Sequence, residues 1–104
     1  MVRFEWDQAK NLLNQEKHGV SFEVAALVFE DDKCLISPDR VDEETAELRW
    51  HAIGGVKLEA GFDAVLLAVH VYRKDDNGEE IIRIISARAA EKYDIRRYQE
   101  QEVE

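Results

Sequence analysis

Four arginines at strand-like positions, Arg49, Arg73, Arg83 and Arg88, are the residues of this chain best suited to chemistry. Arg83 is the most informative. The stretch "IIRII" sets a permanent charge among aliphatics on what reads as an interior strand, where a cation needs a partner or an open groove. "DDNG", between "HVYRK" and "EEIIRIISA", supplies its neighbours. Asn-Gly favours a two-residue type I′ hairpin turn. With Asn77-Gly78 as that turn, Tyr72 faces Arg83 and His70 faces Ile85, so that Arg83, His70 and Tyr72 share one sheet face. A four-residue loop keeps this assignment, and only a three-residue bulged turn inverts it. A guanidinium, an imidazole and a phenol on one open face suit metal-free cleavage of an RNA phosphodiester. The 2′-hydroxyl attacks the neighbouring phosphorus, arginines hold the developing charge, and His70 or Tyr72 moves protons. The alternative is structural: Arg83 in an ion pair with one of many carboxylates, and His70 half-buried in the core.

Other chemistries find little support. His18, His51 and His70 lack metal-ligand spacing and Cys34 stands alone, so neither a metal nor a cofactor is expected. Gly54-Gly55 leads into neither a helix start nor a Lys-Ser/Thr pair, which removes the phosphate-loop nucleotide hydrolases. No serine sits in a nucleophile elbow. The residue patterns leave the general base open among His18, His51, His70 and Tyr72.

The elements that must position these groups read as one α+β domain over 1–104, in the order strand, helix, helix, four strands, helix. Val2, Phe4 and Trp6 alternate as in a strand, and Asp7 suits a helix N-cap. The first helix carries Ala9, Leu12 and Leu13 inward and ends at Gly19; Ser21 caps a second, "FEVAALVF", apolar nearly all round and hence buried. "CLIS" (34–37) is a short strand closed by Pro38, followed by an acidic loop over 39–48. "RWHAIG" (49–54) is a strand with Arg49, His51 and Ile53 on one face, and "GGVKLEAGFD" holds too many glycines for a regular element. "AVLLAVHVYR" (64–73) is a long central strand, and a helix over 89–102 frays into a polar tail. The sheet is expected to be mostly antiparallel, with helices on one face, the two N-terminal ones covering it.

The chain has a net charge of −9, which argues against loose attraction of nucleic acid to the whole surface. Its distribution is uneven. Residues 83–98 hold five Lys/Arg against Glu91 and Asp94, a local +3 that leaves −12 on the rest. That segment is either a solvated helix face or a local phosphate site on an acidic protein. With a lone cysteine, no signal-peptide pattern and no apolar run near twenty residues, the expected compartment is the cytoplasm, with no membrane association.

"FEWD", then "KHGVSF", "LRWHAIG" and "IRIISARAA" before a helix ending "RRY", resembles in order and separation the BrnT toxins of bacterial toxin–antitoxin pairs, over almost the whole chain. The resemblance implies a RelE-like α+β fold and an endoribonuclease that inhibits translation. It also implies an adjacently encoded antitoxin with a ribbon-helix-helix domain, through which alone the complex touches DNA. Carried over by motif, Arg49, Arg83 and Arg88 are the expected RNA contacts, and His70 and Tyr72 join them by the register argument. The antitoxin is expected to cover the face bearing Arg49, Tyr72 and Arg83. Ala89, where many relatives have a basic residue, and Asp94, where they have glutamate, depart from the pattern. Together with the acidic balance they favour an alternative, a catalytically weakened homologue that serves as the antitoxin's corepressor.

Overall fold

The computed structural model describes residues 2–59, 61 and 63–101. Among these residues five strands form one sheet: β1 (Arg3–Glu5), β2 (Leu35–Val41), β3 (Leu48–Lys57), β4 (Asp63–Lys74) and β5 (Glu80–Ala89). They lie in the order β1-β5-β4-β3-β2, with β1 parallel to β5 and every other pair antiparallel. Helix α1 (Gln8–His18) and the short α2 (Phe22–Ala25), which tightens into a 3₁₀ turn over Ala26–Glu30, separate β1 from β2; α3 (Lys92–Glu100) follows β5. The α+β class is the one expected; the order of elements differs slightly, in that the expected second helix is a short α-helix followed by a separate 3₁₀ turn.

Asp7 starts α1 by accepting the amides of Ala9 and Lys10 at 2.9 and 3.2 Å, and Gly19, left-handed at φ 71°, ends it. The buried face of α1 differs from expectation. Leu12 and Leu13 are 56% and 62% exposed, and Asn11 and Asn14 point inward instead. The reason is a backbone demand, because β1 pairs with β5 only at residues 81–83 and leaves the outer edge of β5 open further on. There the Asn14 side chain accepts from the Ala87 amide at 3.2 Å and donates to the Ala87 and Val20 carbonyls at 2.8 Å. Asn14 thus stands in for the missing strand.

Helices α1 and α2 and the 3₁₀ turn cover one face of the sheet, the helical face, over a core that includes Phe22, Val28, Ala52, Ala68, Ile84 and Ala87. Gly54 permits this contact, since a Cβ there would stand 2.7 Å from the Val28 carbonyl oxygen. The two glycines therefore lie inside β3, which continues to Lys57 where a connection was expected; Ala60 and Phe62 of that connection lie outside the described residues. Adjacent Gly55 points to the other face, where a Cβ would meet the Tyr98 hydroxyl of α3. Helix α3 accordingly crosses the opposite face, so the expectation of helices on one face holds for the two N-terminal helices and not for α3. It begins at Lys92 rather than at 89, behind a reciprocal cap between Glu91 and Asp94. The expected end at 102 and the tail beyond lie outside the described residues.

β2 reaches Val41 through Pro38, which an edge strand tolerates, with an irregularity between Pro38 and Val41. The acidic stretch that follows is an organised turn. The Asp42 carboxylate accepts the amides of Glu44 and Thr45 at 2.9 and 3.2 Å, and Ala46 adopts φ 62°.

Candidate active site

The turn between β4 and β5 decides which side chains meet. Lys74 pairs with Glu80, the Gly78 amide bonds the Asp75 carbonyl at 2.9 Å, and Gly78 is left-handed at φ 79°. This is the three-residue turn with a glycine bulge rather than the two-residue type I′ turn. The register moves by one residue, so Arg83 faces Val71, Tyr72 faces Ile82 and His70 faces Ile84. The expected grouping of Arg83 with His70 and Tyr72 is therefore corrected: His70 and Tyr72 belong to the helical face, Arg83 to the other.

A second irregularity brings the arginines together. Arg83 and Arg88 are five apart and would alternate to opposite faces of a regular strand. Between Val69 and His70 of β4 the partners jump from Ser86 to Ile84, so Ile85 is an extra residue, and Arg88 pairs with Leu67 on the same face as Arg83 and Val71. On β3, Trp50 pairs with His70, which turns Arg49 and His51 to this face as expected. Arg73, two residues beyond Val71, joins them. One sheet face, flanked by α3, thus bears Arg49, Arg73, Arg83, Arg88 and His51.

Each of the four arginines is matched to a carboxylate of the chain. Arg83 donates to Glu5 at 2.8 Å, Arg49 to Asp42 at 2.6 Å, and Arg88 to Asp94 at 2.8 Å. Arg73 grips Glu47 with two bonds, at 3.0 and 2.9 Å, and lies 3.8 Å from Glu5. These contacts shift the acids. The Arg73 hydrogen bonds hold Glu47 below the usual carboxylate range, and the Thr45 and Glu44 amides, then Arg49, do the same for Asp42. Burial alone would raise Asp94, but the Glu91 amide and Arg88 outweigh it and lower that acid too.

His51 is the histidine of this face. Ser37, Val69 and, across β4, Ser86 share its row, and its Nε2 lies 3.4 Å from the Asp39 carboxylate with the side chain 24% exposed. The alternation in "RWHAI" had already put His51 beside Arg49, and the face expected for the antitoxin set Arg49 with Arg83; the register keeps that pair and removes Tyr72 from it. His70 is wholly buried instead, packed edge-on between the Phe29 and Tyr72 rings at 4.9 Å from each. Among the described residues neither of its ring nitrogens has a hydrogen-bond partner, and burial pushes its pKa down to about 4. Tyr72 sits at the end of the helical face against Trp50, its phenol raised by burial and then by Glu80.

Among the described residues no group of three His, Cys, Asp or Glu is arranged to hold a metal ion, and no helix is long and apolar enough to cross a membrane. The profile of one protein family, the ribonuclease toxin BrnT of type II toxin–antitoxin systems, matches residues 6–94, a span that contains every arginine of the face. The chain belongs to this family. No curated protein matches it. Membership makes the chain one half of a pair whose other half is an antitoxin, and it identifies ribonuclease chemistry as the activity against which the arginine face is to be read.

Proposed function

We propose that this chain is an endoribonuclease toxin that cleaves RNA without a metal ion and so inhibits translation in the cytoplasm, with Arg49, Arg83 and Arg88 as its phosphate contacts. The observation that carries the reading is the single face on which a shifted register and a bulge gather these arginines around His51. Planar guanidinium groups present paired N–H donors to phosphate oxygens, and the charge that builds on a pentavalent phosphorus is what such donors stabilise. His70 and Tyr72 take no part, since they point to the helical face. The partner we propose is an adjacently encoded ribbon-helix-helix antitoxin that covers the arginine face while its own basic half binds DNA.

The pairing of all four arginines with carboxylates supports a second reading, in which catalysis is weak and the chain acts as the antitoxin's corepressor. One experiment separates the two. Wild type and Arg83→Ala are expressed without antitoxin and assayed for growth arrest and for cleavage of RNA in the presence of chelator. The ribonuclease reading expects arrest and cleavage by wild type and a loss of about 100-fold or more in the variant. Cleavage that needs a divalent metal or ignores Arg83 rejects it, and a harmless wild type that still strengthens operator binding by the antitoxin establishes the second reading.

A further inference from the structure

We propose that His51 is the proton-transfer residue of the arginine face and that Asp39 positions it. The inference rests on the ribonuclease reading above and names a residue that reading leaves open. Of the three histidines, His18 ends α1 and His70 is sealed in the core of the helical face, whereas His51 stands partly exposed between Arg49 on its own strand and Arg88 across the sheet. Of the tyrosines, Tyr72 belongs to the helical face, the Tyr98 hydroxyl donates to Asp31, and Tyr93 stands 69% exposed on α3 beneath the Arg97 guanidinium rather than in the row of His51.

The surroundings of His51 fit the task. Its Nε2 is turned to Asp39 of β2 at 3.4 Å, an arrangement that holds the ring and leaves Nδ1 for the substrate. The other charged groups near it are Arg49 on β3, Arg88 on β5, and Asp94 and Arg97 on α3, with Arg97 donating to Ser37 in the same row at 3.0 Å; Arg40 of β2 lies 4.0 Å from the Asp39 carboxylate, and His70 lies behind His51 on β4. In the reaction the 2′-oxygen forms a bond to phosphorus as its proton passes to Nδ1 of His51, and the bond from phosphorus to the 5′-oxygen breaks. That oxygen takes a proton from water and His51 returns one to solvent, which leaves a 2′,3′-cyclic phosphate and a 5′-hydroxyl.

The test measures cleavage of a short RNA by the full chain as a function of pH for wild type, His51→Gln, His51→Ala with and without added imidazole, Asp39→Asn and Arg83→Ala. Binding of the matching all-deoxy oligonucleotide, which cannot be cleaved by this route, is followed alongside. His51→Gln is expected to lose about 100-fold or more in rate and the acid limb of the profile, to bind the deoxy oligonucleotide like wild type, and His51→Ala to recover activity with imidazole. Asp39→Asn is expected to lower kcat while leaving KM and binding of the deoxy oligonucleotide near wild type, a split that a merely structural contact would not produce. Cleavage by His51→Gln at the wild-type rate, with Arg83→Ala impaired, overturns the assignment alone. A wild type that neither cleaves nor binds overturns the ribonuclease reading and this inference with it.

Discussion

Arg83 on β5 and Glu5 on β1 are joined at 2.8 Å across the parallel pairing of β1 with β5, so β1 neutralises a cation of the candidate site. A phosphate approaching Arg83 must share or displace that carboxylate. Glu5 also lies 3.8 Å from Arg73, so a single acid holds down two arginines.

Glu5→Gln is therefore expected to tighten binding of an uncleavable oligonucleotide by about fivefold, the equivalent of roughly 1 kcal/mol between like charges near 4 Å in water. Both partners are about one-third exposed, so the lost ion pair costs about 1 kcal/mol of stability or less. Fluorescence anisotropy across a salt series and a denaturant melt check the two halves. Unchanged binding would mean that Arg83 already reaches phosphate past Glu5.

Asp94 serves the site and the fold together. It accepts from the Glu91 amide at 2.9 Å as part of the cap of α3 and from Arg88 at 2.8 Å, while only 5% exposed. Asp94→Ala removes the cap and leaves Arg88 facing a gap, with an expected cost of about 1–2 kcal/mol. Asp94→Asn, whose amide oxygen can still accept from the Glu91 amide and from Arg88, is expected to cost less and to remove only the charge that Arg88 faces. Denaturation midpoints of the two variants separate the cap from the charge.

How much of this could be read in advance differs by residue. The caps at Asp7, Gly19 and Ser21 were legible because each follows from local backbone geometry. The face of Arg83 was not. It depends on a one-residue difference in turn length that Asn77-Gly78 permits either way, and every side chain of β5 before the bulge changes face with it. Nor does "RIISAR" announce that Ile85 is unpaired, although that bulge is what aligns Arg88 with Arg83. Asn11 and Asn14 are missed for another reason: a hydrophobic pattern assigns Leu12 and Leu13 to the core, whereas the open edge of β5 needs the donors and acceptors of Asn14 and the Phe22 amide that starts α2 needs the Asn11 oxygen.

Asn14 consequently carries more stability than either leucine. Asn14→Ala leaves the amide and carbonyl of Ala87 and the carbonyl of Val20 without these contacts in a buried position, an expected loss of about 2–4 kcal/mol. Leu12→Ala and Leu13→Ala are each expected to change stability by about 0.5 kcal/mol or less, as exposed substitutions do. Urea unfolding of the three variants tests the ranking. A leucine variant that falls furthest would show that α1 is turned the other way.

His70 provides a test by pH. Its folded pKa is depressed to about 4 against 6.5 for a free imidazole, so the unfolded chain binds the extra proton. The resulting contribution is complete above pH 6.5 and is lost as pH falls from there toward about 4, to a total of about 3 kcal/mol. The lowered acids Asp31, Asp42, Glu47 and Asp94 act at the acid end of this range, since their contributions are held until pH falls below the ordinary carboxylate values. The difference between wild type and His70→Leu cancels what they share. His70→Leu removes a buried polar ring whose nitrogens find no hydrogen-bond partner among the described residues and adds no charge, so near neutral pH it is expected to stay within about 1.5 kcal/mol of wild type. Its stability should then fall less than that of wild type between pH 6.5 and 4, and RNA cleavage should persist. Equal slopes would mean that His70 does not resist protonation, and loss of cleavage in a well-folded His70→Leu would return this residue to the site.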